Sequence, residues 1–250
     1  MKVSLITVTF NSAKTLQDTI DSVASQKYSD IEYIIVDGNS KDDTIQLINK
    51  NLKIISKWIS EPDKGIYDAM NKGIEMATGD IIGIINSDDF YSSPTSISAV
   101  VAAFKNNDID SVFADVRFVR NSDLNKTVRY YSSKKFRPSL FRWGFMPAHP
   151  TFFTKKELFD KFGYYKIDYK IAADYELLIR FLFVNKISYK YIPLDLIAMR
   201  TGGASTNSWR SNILLNKEIV RACSENGIRT SFFLLLFKYF IKVFEFIKTK

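Results

Sequence analysis

The sequence predicts an α/β fold with a mostly parallel central sheet flanked by helices. Three observations carry this. Apolar, β-branched runs alternate with helical spacing along the first third of the chain, each run stops at a polar cluster, and those clusters are rich in Asp, Asn, Ser and Gly. Strands alternating with helices imply parallel pairing through crossover connections. Such sheets bind ligands outside the carboxyl ends of their strands, so the polar clusters should converge on one crevice.

Taken in order, residues 1–9 (MKVSLITVT) have the pattern of a buried strand, which Phe10-Asn11-Ser12 breaks. Residues 13–25 have helical spacing, with Leu16, Ile20 and Val23 on one face. A second strand over 32–36 ends at Asp37-Gly38-Asn39-Ser40, and Asp42 and Asp43 precede a helical stretch over 44–49. A third strand over 53–59 leads to Glu61-Pro62-Asp63-Lys64-Gly65 and a helix over 66–77. After Thr78-Gly79-Asp80, an apolar strand over 81–85 runs into Asn86-Ser87-Asp88-Asp89. Two adjacent carboxylates at a strand end repel unless a cation lies between them. Mg²⁺ or Mn²⁺, which prefer oxygen ligands and bind substrate phosphates, are the economical partners. Ser-Asp-Asp is also ordinary turn chemistry, and Asp37 and Asp63 are equally suited to capping turns.

The second half is less regular. Residues 116–145 are rich in Arg, Lys, Ser and aromatics and are expected over one side of the crevice. His149 is the only histidine. Ala173-Asp174-Tyr175-Glu176 opens an apolar helix over 177–184, where Asp174 makes a good cap. In Arg200-Thr201-Gly202-Gly203-Ala204-Ser205, the glycines make either a flexible connector or a loop whose amides cover phosphates. Arg200 is suited to neutralising a diphosphate. Trp209 packs either on a sugar or on the core.

The stretches ITVTFNSAKTL, IIVDGNSKDDT, EPDKGIYDAMNKGIEMATGD, IINSDDF and IAADYELLIRF with GGAST occur in this order over residues 1–206. On them, the chain resembles the inverting family two glycosyltransferases of the GT-A fold, the nucleotide-diphospho-sugar transferases of bacterial O-antigen and capsule assembly. The resemblance implies a donor site in which Thr7, Thr9 and Asn11 lie against the nucleobase. Asp37 would bond uracil or ribose, Lys64 would meet donor groups, and Asp88 would touch the ribose. Asp89 would hold the Mn²⁺ or Mg²⁺ that bridges the donor phosphates. Asn86 stands where the usual Asp-x-Asp-Asp pattern has its first acid, and an amide is a poorer cation ligand. The resemblance makes Asp174 the general base. It sets His149 between acceptor and donor, as a metal ligand, a phosphate contact or an acceptor contact.

Composition sets further expectations. A chain of 250 residues with 46% hydrophobic content can bury one large core. Cys223 is the only cysteine, which excludes an internal disulfide and a Cys-rich zinc site. No signal-peptide pattern precedes the first strand, and a cytoplasmic enzyme is expected. Residues 1–125 hold 12 basic against 18 acidic side chains, and residues 126–250 hold 23 against 9. An acidic donor half and a basic acceptor half suggest an anionic acceptor. Nucleic acid would satisfy the same electrostatics, but no motif for it accompanies the charge. Over 232–248, Lys238, Lys242, Glu245 and Lys248 form one face of an otherwise apolar helix. It is too short and too charged to span a bilayer and fits an interfacial helix, a terminal helix docked on the core or a homodimer contact.

These expectations divide the chain into a nucleotide-binding half over 1–92, an acceptor half over 93–206 and a C-terminal amphipathic helical segment over 207–250. The activity implied is metal-dependent, inverting transfer of a hexose from a UDP-sugar to a polyprenyl-diphosphate-linked acceptor on the inner face of the cytoplasmic membrane. The alternatives are another nucleotide-sugar donor with a non-lipid acceptor, or a non-catalytic sugar-nucleotide-binding protein.

Overall fold

Strand β1 (Val3–Thr9) is buried along its whole length, as a central strand covered on both faces must be. The computed structural model describes residues 1–202 and 209–236. Parallel partners flank β1: β2 (Ile31–Asp37) on one side, itself beside β3 (Lys57–Ser60), and β4 (Ile81–Ile84) on the other. The crossovers are helices α1 (Leu16–Ala24), α2 (Thr44–Lys50) and α3 (Ile66–Met76). The expected parallel arrangement therefore holds across the N-terminal half. The third strand begins at Lys57 rather than residue 53, because residues 51–54 form a turn that puts Ile55 in the core.

Beyond β4 the sheet becomes mixed. It gains β5 (Phe90–Tyr91), β6 (Ser111–Arg120), β7 (Asp123–Tyr131), β8 (Phe153–Lys155) and β9 (Tyr189–Arg200). Among the described residues the sheet order is β3-β2-β1-β4-β8-β6-β9-β5, with β7 paired to β6. β8 lies antiparallel between β4 and β6, while β9 runs parallel to β6. Gly83 of β4 faces Phe153 of β8, and a Cβ on Gly83 would lie 2.1 Å from that ring. The glycine thus lets the two halves of the sheet join. Residues 116–145, expected to be irregular, instead contain most of the β6–β7 hairpin. Its exposed polar positions and register shifts hide the strand period from the sequence.

Helices cover both faces. One core cluster packs α1, α2 and α4 (Ser96–Lys105) on the sheet through residues such as Leu16, Ile20, Ile48 and Val100. The other packs α3, α5 (Glu157–Phe162), α6 (Ala173–Ile179) and α7 (Trp209–Glu225) through Met70, Phe159, Leu178 and Ala222. Gly73 allows α3 to press onto β1, since a Cβ there would lie 2.4 Å from Ile6 Cγ2. α7 falls within the segment expected as a C-terminal extension, yet Ile219, Ala222 and Cys223 belong to this core. Burial pushes the Cys223 thiol up to about 11. Among the described residues no helix is long and apolar enough to cross a membrane. Of the expected interfacial helix, residues 237–250 lie outside the described residues.

Candidate active site

The carboxyl ends of β1 to β4 lie along one edge of the sheet, and the four polar clusters end there. The loop after β1 interlocks with the loop after β2. The Asn11 amide donates to Ser40 Oγ at 2.8 Å, and Asn11 Oδ1 accepts from the Lys41 amide at 2.8 Å. Asn11 and Asn39 have φ of 50° and 65°, a left-handed conformation that Asn tolerates well. Asp42 secures the same junction by accepting from the Ala13 amide at 3.1 Å.

Asp37 is fully buried at the end of β2. Its carboxylate accepts from the Ser40 hydroxyl, from the Ser40 amide at 2.9 Å and from Ser60 Oγ at 2.7 Å. The side chain of Thr7 is also fully buried, and its hydroxyl accepts from Tyr33 at 3.1 Å. It faces the core, so Thr7 supports the strand from below and offers a base no side-chain surface. Thr9 stands at the strand end, and its buried hydroxyl has no partner among the described residues. Phe10, not singled out from the sequence, is 62% exposed. It sits close to Gly38 and Asp63, both near the point where a Cβ on that glycine would fall. Lys64 lies exposed in the next loop, its amide donating to Asp68 at 3.0 Å.

The loop after β1, helix α1 and the end of β9 hold the turn at Asn86-Ser87-Asp88-Asp89. Ser87 Oγ donates to Ser12 Oγ at 2.9 Å, and Thr19 of α1 donates to the Asp89 carbonyl at 2.7 Å. Arg200, at the end of β9, donates to the Asp88 carbonyl at 3.2 Å, pairs with Asp18 and lies over the Phe90 ring at 5.4 Å. Its guanidinium therefore braces the turn. Asp89 is only 2% exposed. Burial, and then the neighbouring Asp88, pushes its carboxyl up to about 8, against a hydrogen bond from Asn86 and the charge of Arg200. Burial raises Asp88 as well.

Asn86 Nδ2 donates to Asp89 Oδ2 at 2.9 Å. The amide that replaces the expected acid thus orients the carboxylate beside it. Two crowded carboxylates whose nearby arginine also serves Asp18 fit a divalent cation. Among the described residues no cluster of three or more acidic, His or Cys side chains forms a closed site. The remaining ligands of such a cation would have to come from phosphate and water, as is usual for Mg²⁺.

Asp174 opens α6 and is 14% exposed. His149 Nδ1 lies 3.2 Å from its Oδ2, while its Oδ1 accepts from the Tyr175 amide at 2.7 Å. The sequence assigned His149 no partner, and 25 positions of separation leave no local signal for one. The short turn that carries His149 precedes β8 and packs against β4, bringing the pair to the paired aspartates' strand. On its other side Asp174 neighbours Tyr67 and Tyr165, and its charge helps raise both phenols after burial. Tyr67 lies in the first turn of α3, directly after the loop that carries Lys64. Glu176 points elsewhere, as helix geometry predicts. It is fully buried against Arg180 and Lys166, at 2.8 and 2.9 Å, and Arg180 and Lys166 hold its carboxyl low despite burial.

Residues 4–163 match the family model described as Glycosyl transferase family 2. An uncharacterized glycosyltransferase of Mycobacterium tuberculosis is 36% identical over 179 residues, 71% of this chain and 68% of that protein. A "PGL/p-HBAD biosynthesis glycosyltransferase" of Mycobacterium bovis is 29% identical over 224 residues, 87% of this chain and 82% of that protein. Among solved structures, Staphylococcus aureus TarS 1-349 in complex with UDP-GlcNAc superposes with a TM-score of 0.68 at 18% identity, over 88% of this chain and 67% of that one. In another crystal structure of TarS 1-349, this chain covers 65% of that chain's length. The mannosyltransferase PcManGT from Pyrobaculum calidifontis, in complex with GDP-Man and Mn²⁺, gives 0.64 at 18% identity, over 90% of this chain and 63% of that one. These likenesses establish the GT-A-like fold. By its family match and its relatives, this chain belongs to glycosyltransferase family 2 and is a glycosyltransferase.

Proposed function

We propose that the chain transfers a hexose from a UDP-sugar, with inversion and with Mn²⁺ or Mg²⁺, to a polyprenyl-diphosphate-linked acceptor during assembly of a bacterial surface polysaccharide such as O-antigen or capsule. The observation that carries this reading is the pairing of two sites. Buried Asp89 and half-buried Asp88 sit at the end of β4, and the Asp174–His149 couple faces the same strand.

In this mechanism Phe10 offers a flat surface to the base, and Thr9 an unpaired hydroxyl beside it. The loop carrying Asp37 and the Asp88 side chain receives the ribose, and exposed Lys64 approaches the donor phosphates. Asp89 would hold the cation, which when bound would supply positive charge to stabilise the departing diphosphate. Asp174 accepts the acceptor's hydroxyl proton as that oxygen forms its bond to the anomeric carbon. The bond from that carbon to the phosphate oxygen breaks on the opposite face, and its electron pair leaves with UDP. His149 keeps one oxygen of Asp174 oriented. Arg200 maintains the turn beneath the diphosphate.

A UDP donor is favoured by the likeness to TarS bound to UDP-GlcNAc, and GDP is the alternative raised by PcManGT. An anionic lipid-linked acceptor is favoured by the basic second half. There Lys134, Lys135, Arg137 and Arg142 are exposed around the turn Pro138–Trp143. Phe232 and Phe233 are exposed beyond α7 and would continue an apolar face toward a membrane.

The test is a mass-spectrometric transfer assay with a panel of nucleotide sugars, Mn²⁺, an N-acetylhexosamine-diphosphate-lipid analogue and an EDTA control. Transfer from a UDP-sugar that EDTA abolishes is the expected outcome. Transfer only from a GDP- or dTDP-sugar, or only to a non-lipid acceptor, would replace the donor or the acceptor in this reading. Failure of every nucleotide sugar to bind would overturn it.

A further inference from the structure

We propose that Tyr67 and Glu218 are positioning residues that clamp one peptide unit, Ile171–Ala172, and through it fix the carboxylate of Asp174. The inference rests on Asp174 being the base. Glu218, on α7, is 7% exposed. Its carboxylate accepts three successive backbone amides, from Lys170 at 2.8 Å and from Ile171 and Ala172 at 2.9 Å each. Tyr67, on α3, is also 7% exposed, and its hydroxyl donates to the Ile171 carbonyl at 2.5 Å. The Ile171 carbonyl and the Ala172 amide belong to the same planar peptide group. One end of that plane is thus held from the donor-side helix and the other from the C-terminal helix, two residues before Asp174.

The accounting of donors at the start of α6 leaves little slack. The first amides of a helix lack partners within it. Here the Ala172 amide goes to Glu218, and that of Tyr175 goes to Asp174 itself. Tyr67 is kept in place by stacking on Tyr165 at 5.7 Å between ring centroids. Asn71, one helical turn further along α3, bonds both the amide and the carbonyl of Tyr165, at 2.9 and 2.8 Å. The loop 61–65, which presents Lys64 to the donor, runs straight into this helix. Donor loop and base therefore share one rigid connection.

A base displaced by about 1 Å can lose about 10²-fold in rate without any loss of donor binding. Tyr67→Phe, which removes one hydroxyl, should lower kcat about 10-fold or more. Glu218→Gln retains one acceptor oxygen and should fall between wild type and Glu218→Ala, whose loss should reach about 100-fold. The experiment measures kcat with the donor that turns over in the panel assay, the Kd of UDP with Mn²⁺ by calorimetry, and Tm. Asp174→Asn serves as the reference. A graded fall in kcat at unchanged UDP affinity, in variants that melt cooperatively, is the expected result. Turnover within twofold of wild type in Tyr67→Phe and Glu218→Gln, with Asp174→Asn inactive, would overturn the clamp and leave the base assignment intact. So would UDP affinity falling in step with kcat. Normal turnover in Asp174→Asn would instead remove the base, and the clamp with it.

Discussion

Asp174→Asn is expected to lower turnover by about 10³-fold, in the middle of the range for general-base catalysis, while fold and donor affinity persist. The variant is isosteric. Its amide oxygen can keep the bond that Oδ1 accepts from the Tyr175 amide, so the start of α6 is undisturbed. What disappears is a group able to take a proton from the acceptor. Rescue by the neighbouring acid is not expected, since Glu176 is fully buried between Arg180 and Lys166 and its low carboxyl pKa reflects that pairing. Steady-state UDP release and Tm, measured together, check this. A variant within tenfold of wild type would exclude Asp174 as the base.

Asp89→Asn is expected to trade activity for stability. Loss of the buried carboxylate should cost at least about 10²-fold in turnover, the scale seen when one preorganised charge-stabilising group is removed. The metal-free protein should become more stable at the same time. Burial and Asp88 raise the Asp89 carboxyl to about 8, so between the ordinary carboxylate range and pH 8 the folded state holds a proton that the unfolded chain has released. Stability contributed by that proton is present at low pH and lost as pH climbs through about 8. Asn carries no charge to bury, and the variant should melt several degrees higher at pH 8, at about 2–4 °C per kcal/mol. If Asp89 holds Mn²⁺ as proposed, binding displaces the same proton, and the apparent affinity should rise about tenfold per pH unit up to about pH 8. Calorimetric scans of both proteins in EDTA, and Mn²⁺ titrations across pH 6 to about 8, test each part. Equal melting and pH-independent affinity would contradict the account.

The N-terminal half was legible because its signals are local. β1 is apolar throughout, Leu16, Ile20 and Val23 mark one helix face, and each strand ends in its own polar cluster. The pairings of β8 and β9 were not legible, because which strands they join is decided across tens to more than a hundred residues. The β6–β7 hairpin was obscured by exposed Lys126 and the neighbouring polar positions on an edge strand. At the candidate site the residue types were readable but their partners were not. His149 meets Asp174 only through the tertiary fold, and Asn86 turns its amide toward Asp89. Thr7 carries a hydroxyl on the same strand face as Thr9, but it lies one pleat further inside β1, and a bond from Tyr33 holds it in the core. Nothing in the sequence sets Glu218 apart from the other acids of the second half, and only its burial against three amides marks it out.

The proposed reaction is a single in-line displacement with Asp174 and the departing diphosphate on opposite faces of the sugar. The most direct measurement is the anomeric configuration of the transferred hexose, read by proton NMR from the product of an α-linked UDP-sugar. A β-linked product is predicted. An α-linked product would mean net retention, which one displacement cannot give, and would contradict the mechanism.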